Sequence, residues 1–213
     1  MIRRQLHVIA FGAVLACQSS CLWGAPTALI QIPTADVAEH RQGYVDIAAT
    51  LSSEGGDLLS NCVLESCLGL GRHLELGFDG PPRTPHNGAF FFKQRLGSLL
   101  GGSAAAGVNG INIEGGPPSP YVVCSTDTSP FRTHMGLECA DKKWRGLFGV
   151  EHALTGDLTL VADWITGPEG AWSAGFNFTF GRDGAWGLMA GVIQPNTGDD
   201  TAVYVNLGRG LDF

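Results

Sequence analysis

The sequence predicts an all-β fold: an antiparallel transmembrane β-barrel of about twelve strands, behind an N-terminal signal peptide. Three observations predict it. Apolar residues recur at every second position, most clearly in the C-terminal third. The positions between them hold mainly Ser, Gly, Asn and Thr, with an occasional carboxylate, where the wet face of a soluble sheet would carry Lys and Glu. Glycine supplies 31 of 213 residues while Asp, Glu, Lys and Arg make up only 15%, against usual shares of ~7% and ~25%. Strand side chains alternate faces, so each segment has an apolar side and a small, polar side. The composition also argues against other classes. Charge is too scarce for charge-driven disorder, glycine too frequent for a coiled coil, and collagen's three-residue glycine period is absent. A net charge of −7 with 13 basic residues gives no nucleic-acid footprint.

The chain opens with a leader. Met1-Ile2-Arg3-Arg4-Gln5 is basic, and Leu6 to Ala16 is almost wholly apolar but too short to span a bilayer as a helix. Cleavage near Ala25 defines residues 1–25 as the signal peptide, and losing Arg3 and Arg4 takes the net charge from −7 to −9. Val14-Leu15-Ala16-Cys17 is an alternative, imperfect lipobox that would leave a lipidated Cys17. Residues 26–42 follow as a periplasmic lead-in or a small lumen plug. They are too short and too proline-bounded for a strand pair, and Ile30 and Ile32 could tuck them into a barrel.

Residues 43–213 form the barrel. The expected strands are Tyr44–Leu51, Asn61–Gly71, His73–Asp79, Gly88–Leu96, Ser103–Ile113, Tyr121–Thr126, Arg132–Ala140, Arg145–Leu154, Leu158–Trp164, Trp172–Phe180, Trp186–Ile193 and Ala202–Phe213. Spacing sets the number. The span gives about 14 residues per strand plus turn, and a membrane strand needs ~9–11, leaving short connections. Gly167-Pro168-Glu169-Gly170, Arg182-Asp183-Gly184 and Pro195-Asn196-Thr197-Gly198 read as such turns. With these turns, Phe180 faces Trp186 near one end and Trp164 faces Trp172 near the other, all on the apolar side. Two aromatic girdles a strand length apart suit a membrane barrel. The terminal pattern with Gly208, Leu211 and Phe213 resembles the β-signal by which outer-membrane barrels are recognised for assembly.

Alternation assigns Asp46, Glu75, Asp79, Lys93, Arg95, Arg132, His134, Glu138, Glu151 and Asp163 to the lumen, where charge tunes which solutes pass. Cys62, Cys67, Cys124 and Cys139 stay after the leader, an even number in an exported chain that suggests disulfides; four cysteines allow three pairings, of which Cys62–Cys67 and Cys124–Cys139 are the local choices. No CxxC and no histidine at finger spacing points to a metal, and no cofactor is expected. The chain is not expected to be an enzyme. No Ser or Thr stands in a recognisable nucleophile context; His134 with Glu138 reads as a lumen ion pair, and Glu151 with Asp163 as carboxylates on neighbouring strands.

Thr27-Ala28-Leu29-Ile30-Gln31-Ile32-Pro33-Thr34-Ala35 resembles the G-L-I-x-x-P-T-A start of YjbH-like, porin-like outer-membrane proteins associated with exopolysaccharide systems, with Ala28 in place of the first glycine. The stretch Leu158–Phe180 and the later Gln194-Pro195-Asn196 are similar to barrel hairpins of that group. The resemblance implies an outer-membrane barrel and no catalytic residues. The expected function is a porin-like channel for small polar solutes in the outer membrane of a Gram-negative-type cell. The expected partners are the lipid bilayer and the outer-membrane assembly machinery, with no nucleic acid. The alternatives are a closed accessory barrel in envelope or exopolysaccharide assembly, and a soluble exported β protein.

Overall fold

A computed structural model describes residues 28–52, 62–99, 101–112, 117–181, 185–198 and 201–213. The leader with Cys17 and Ala25, and the turn expected at residues 182–184, lie outside the described residues. Twelve strands follow in order: β1 (Gln42–Ser52), β2 (Cys62–Leu70), β3 (Leu74–Gly80), β4 (Ala89–Leu99), β5 (Gly102–Asn112), β6 (Ser119–Thr128), β7 (Phe131–Ala140), β8 (Lys143–Ala153), β9 (Leu158–Ile165), β10 (Ala171–Phe180), β11 (Trp186–Pro195) and β12 (Ala202–Asp212). Each pairs antiparallel with its neighbour in sequence. β12 closes on β1 in register from Gln42 opposite Asp212 to Ser52 opposite Ala202. The expected strands agree with these in number and lie within a few residues in extent. β8 begins two residues before the expected Arg145 because the β7–β8 turn is only Asp141-Lys142, both at positive φ (49° and 62°). That is the twist a two-residue hairpin needs.

The barrel is inside out relative to a soluble protein. Ile47, Leu64, Leu76, Phe90, Leu137, Phe148, Leu160, Phe176, Leu207 and their outward neighbours are exposed, whereas Asp46, Glu75, Lys93, His134, Asp163, Ser173, Asn177 and Asn206 are buried. An apolar belt around a closed wall with every ladder paired is what a bilayer requires, since lipid offers no partner to a free backbone group. The same belt in water would be an aggregation surface, which overturns the soluble alternative. Trp164 and Trp172, paired across β9–β10 at one rim, and Phe180 and Trp186, paired across β10–β11 at the other, all point outward. Phe180 and Trp186 stack at 6.4 Å, and Arg209 lies 5.4 Å over the Trp186 ring.

The disulfide expectation is corrected: neither Cys62–Cys67 nor Cys124–Cys139 forms a disulfide. Cys62 and Cys67 lie five residues apart on β2, so they point to opposite faces. Cys124 stands opposite Met135, four residues along β7 from Cys139. At about 3.3 Å per residue that offset exceeds the span of a disulfide.

Residues 28–38 run inside the wall, and the exposed Glu39, His40 and Arg41 lead from them to β1. Leu29, Ile30, Ile32, Thr34, Ala35 and Ala38 are all buried, Ile32 and Ala35 completely. The segment starts in a tight turn, with the Leu29 amide donating to the Ile32 carbonyl at 2.9 Å and Ala28 bridged to Pro33. Its apolar side chains join Ala105, Tyr121, Val123, Leu147, Val161 and Met189 in one cluster. Wall glycines make room for it. A Cβ on Gly149 would stand 2.4 Å from Leu29 Cδ1, and one on Gly69 would stand 1.9 Å from the Glu39 carbonyl oxygen.

Candidate functional site

The interior is built from the inward positions of the strands and from residues 28–38. The two are joined by hydrogen bonds, mostly on the β4–β9 side. The Gln31 amide donates to Asp163 Oδ2 at 2.9 Å and its side chain to Asp163 Oδ1 at 3.2 Å. The Ala35 amide donates to Ser125 Oγ at 2.9 Å, and the Ala38 amide to Glu75 Oε2 at 2.7 Å. Lys93 Nζ donates to the Asp36 carbonyl at 2.9 Å. Arg132 grips the Asp36 carboxylate with both terminal nitrogens, at 2.6 and 2.7 Å, the bidentate fit that planar guanidinium favours. Burial alone would push the Asp36 carboxyl up; Arg132 beside it and Lys93 farther off override this and hold it below the usual carboxylate range.

Alternation placed the charged residues on the inner face, and most now have named partners. Lys93 Nζ lies 3.8 Å from Glu75 Oε1, both buried. Glu138 pairs with Arg145 at 2.9 Å, and His134 Nε2 stands 2.8 Å from Glu151 Oε1. The expected His134–Glu138 pair is therefore corrected: the β7–β8 register sets Glu138 opposite Arg145 and His134 opposite Gly149, one step from Glu151. Glu151 and Asp163 do not meet either. Glu151 faces Val161 in the register and also lies 3.8 Å from Arg132, whereas Asp163 accepts from Ser173 and Gln31. Arg95 faces inward in register but is exposed at the rim, donating to Ser103 Oγ at 3.2 Å.

Ser125 Oγ lies 2.7 Å from His134 Nδ1, with Glu151 beyond the ring. This is the outline of a serine–histidine–carboxylate relay. Ser125 and His134 are 3% and 0% exposed, and the Ala35 amide occupies the serine oxygen. The array therefore holds the inner segment and offers no open nucleophile. Ser125, Asp36 and Glu65 are interior polar side chains that sequence reasoning missed. Glu65 shares the inward parity of Cys67 and Gly69 on a strand whose Leu64, Leu68 and Leu70 face out, and that alternation could have found it. Beside the β6–β7 turn, His152 Nδ1 donates to the Pro130 carbonyl at 3.1 Å and its ring lies 4.9 Å from Phe131.

Beside the Glu75 and Lys93 anchors, a cavity of about 280 Å³ lies between the inner segment and β1–β4, bounded also by Tyr204 and Asn206 of β12; Ser125, Arg132 and Asp163 do not line it. Asp46 stands opposite Glu65, and Glu65 opposite Asp79, so three carboxylates form one row across three adjacent strands. Asn206 Nδ2 donates to Glu65 Oε2 at 3.3 Å. Among the described residues no group of histidines, cysteines and carboxylates is set to chelate a metal. At the C-terminal edge Gly208 packs against Asp46, Leu211 is half-buried, and the Phe213 amide donates to the Arg41 carbonyl at 3.0 Å.

No protein-family model matches the chain and no curated protein is similar to it in sequence. Solved structures are similar in fold. The KdgM porin superposes with a TM-score of 0.54 at 10% identity, covering 78% of this chain and 98% of that one. The KdgM porin in complex with disordered oligogalacturonate gives 0.55 at 10%, with the same coverage. At this identity the likeness is one of fold, a porin-like barrel. It lends no support to the YjbH-like name that the opening motif suggests.

Proposed function

We propose that this chain is an outer-membrane, porin-like channel through which small polar solutes diffuse, with residues 28–41 seated as a resident constriction. The observation that carries the reading is the inverted barrel: an apolar outer belt around a lumen that holds charged side chains and a cavity of about 280 Å³. A purely structural barrel has no need to bury this much charge, whereas a solute path is tuned by it. The signal peptide at residues 1–25 would deliver the chain across the inner membrane, and Gly208, Leu211 and Phe213 would present it to the assembly machinery. One of the two KdgM porin structures similar in fold is described in complex with disordered oligogalacturonate; a constriction at residues 28–41 favours smaller solutes here. Purified, heat-modifiable barrels in planar bilayers are expected to give discrete conductance steps, and barrels that insert in silence would overturn the channel reading. A closed accessory barrel in envelope or exopolysaccharide assembly is the second reading. It draws on the opening motif and on the depth to which Leu29, Ile32 and Ala35 fill the lumen; bilayer silence together with outer-membrane sedimentation would favour it.

A further inference from the structure

The interior charges are not evenly matched. Lys93 is committed to Glu75 and to the Asp36 carbonyl, Arg132 to Asp36, Asp127 and Glu151, and Arg145 to Glu138. Arg95 is out at the rim. The row Asp46, Glu65 and Asp79 has no lysine or arginine at ion-pair distance among the described residues. Directly opposed strand residues have Cβ atoms about 5 Å apart, so carboxylates there repel unless a shared proton, as in the Asp46–Glu65 hydrogen bond, or a cation sits between them. A second observation marks the same wall as built for an occupant. Three buried polar atoms on this cavity lack a hydrogen-bond partner among the described residues: Asp46 Oδ1, Tyr44 Oη and Glu75 Oε1. Asp46 is 3% and Glu75 0% exposed, and the nearest cation to that Glu75 oxygen is Lys93 at 3.8 Å. Gly208 adds to the fit, since a Cβ there would stand 2.7 Å from Asp46 Cβ.

Resting on the channel reading, we propose that the free path past residues 28–41 is cation-selective, with Asp46, Glu65 and Asp79 as the selectivity-determining site for small inorganic or organic cations. The inner segment is fastened mainly to the wall that carries the basic residues and uses up their charge. The space it leaves runs along the wall whose carboxylates are unmatched. A cation entering there passes the Asp46, Glu65 and Asp79 carboxyls and the orphaned Asp46 oxygen, while the one basic side chain lining the same cavity, Lys93, is held by Glu75 and the Asp36 carbonyl, so the balance of charge disfavours an anionic solute.

The test is the reversal potential of the purified barrel in a planar bilayer under a potassium chloride gradient at neutral pH. The expected result is a potassium preference over chloride of about fivefold or more, falling toward unity in Asp46→Asn/Glu65→Gln/Asp79→Asn. The isosteric changes relieve repulsion and are expected to leave folding intact; should the triple variant fail to insert, Glu65→Gln alone is expected to cut the preference measurably. A conducting barrel that prefers chloride or neither ion, or whose preference survives these changes, overturns the selectivity proposal and leaves the channel standing. Folded barrels that never conduct overturn the channel reading and this proposal with it.

Discussion

Asp36→Asn is expected to loosen residues 28–41 without unfolding the barrel. Two short bonds, 2.6 and 2.7 Å, tie Asp36 to Arg132. Hydrogen bonds to charged groups are worth about 1.5–3 kcal/mol each. The pair is partly wet, however, with side chains 34% and 22% exposed, so solvent screening keeps the contribution near the low end. An asparagine keeps one acceptor oxygen and loses the charge. The net weakening is therefore about 1–2 kcal/mol, a factor of ~5–30 in the equilibrium between seated and lifted segment. Amide hydrogen exchange in detergent micelles reads that factor directly. Peptides covering residues 28–41 are expected to exchange ~5–30-fold faster, while strand peptides stay unchanged. The Ala35 and Ala38 amides are the probes, because their acceptors are Ser125 and Glu75. Acceleration below about twofold, or acceleration shared equally by the strands, would refute the seating argument. The pH dependence has a fixed sign. Burial raises the Asp36 carboxyl, but Arg132 holds it below the usual range. Its contribution is then complete above the ordinary carboxylate range and is lost only as pH falls through the depressed value. After correction for intrinsic exchange, the wild-type segment is expected to be equally protected at pH 7 and pH 5.

Three further outcomes follow from the same geometry. Ser125→Ala leaves the Ala35 amide buried without an acceptor, a cost of about 1–3 kcal/mol; exchange of residues 28–41 should quicken while the reversal potential stays put, and a shift in selectivity would count against a purely anchoring role. Deleting Phe213 removes the contact with Arg41 at the β1–β12 seam and is expected to lower the yield of heat-modifiable barrel, with normal insertion as the contrary result. Denaturation without reductant should expose Cys62, Cys67, Cys124 and Cys139 as reactive thiols, whereas thiols that appear only after reduction would restore the disulfides.

The strands and their faces were legible because a period of two is a local property. Leu158–Trp164 and Trp172–Phe180 declare their inner and outer sides residue by residue, and the structure keeps those sides. Partners across strands were not legible, because they depend on register. His134 was matched to Glu138 along one strand, but hairpin geometry hands Glu138 to Arg145 and turns His134 toward Glu151. The same limit hid the carboxylate row. Asp46 and Asp79 are visible as inward residues, but only the pairing of β2 between them brings Glu65 into line. Cysteine spacing misled for a related reason: nearness in sequence along an extended strand is distance in space.

The glycine excess has a cause beyond the confined lumen. Twelve strands ~4.8 Å apart, tilted by ~40°, close at a backbone radius of about 12 Å. Wall side chains reaching ~5 Å inward would leave a hole several ångströms in radius, wider than an eight-stranded barrel, which fills itself. The wall here does not fill that hole with bulk. It presents Gly69, Gly149 and Gly191, and the volume is supplied by Ala38, Glu39, Leu29, Ile32 and Ile30 from the inner segment, whose atoms lie where those Cβ atoms would be. A separable filler allows an arrangement that a self-filled barrel cannot have. It can be packed tightly on one side, through Ser125, Arg132 and Asp163, and leave a polar gap on the other, beside Asp46, Glu65 and Asp79. Small wall residues and the inner segment are thus one feature of the fold, and the asymmetry between its two sides is what gives the lumen a direction of charge.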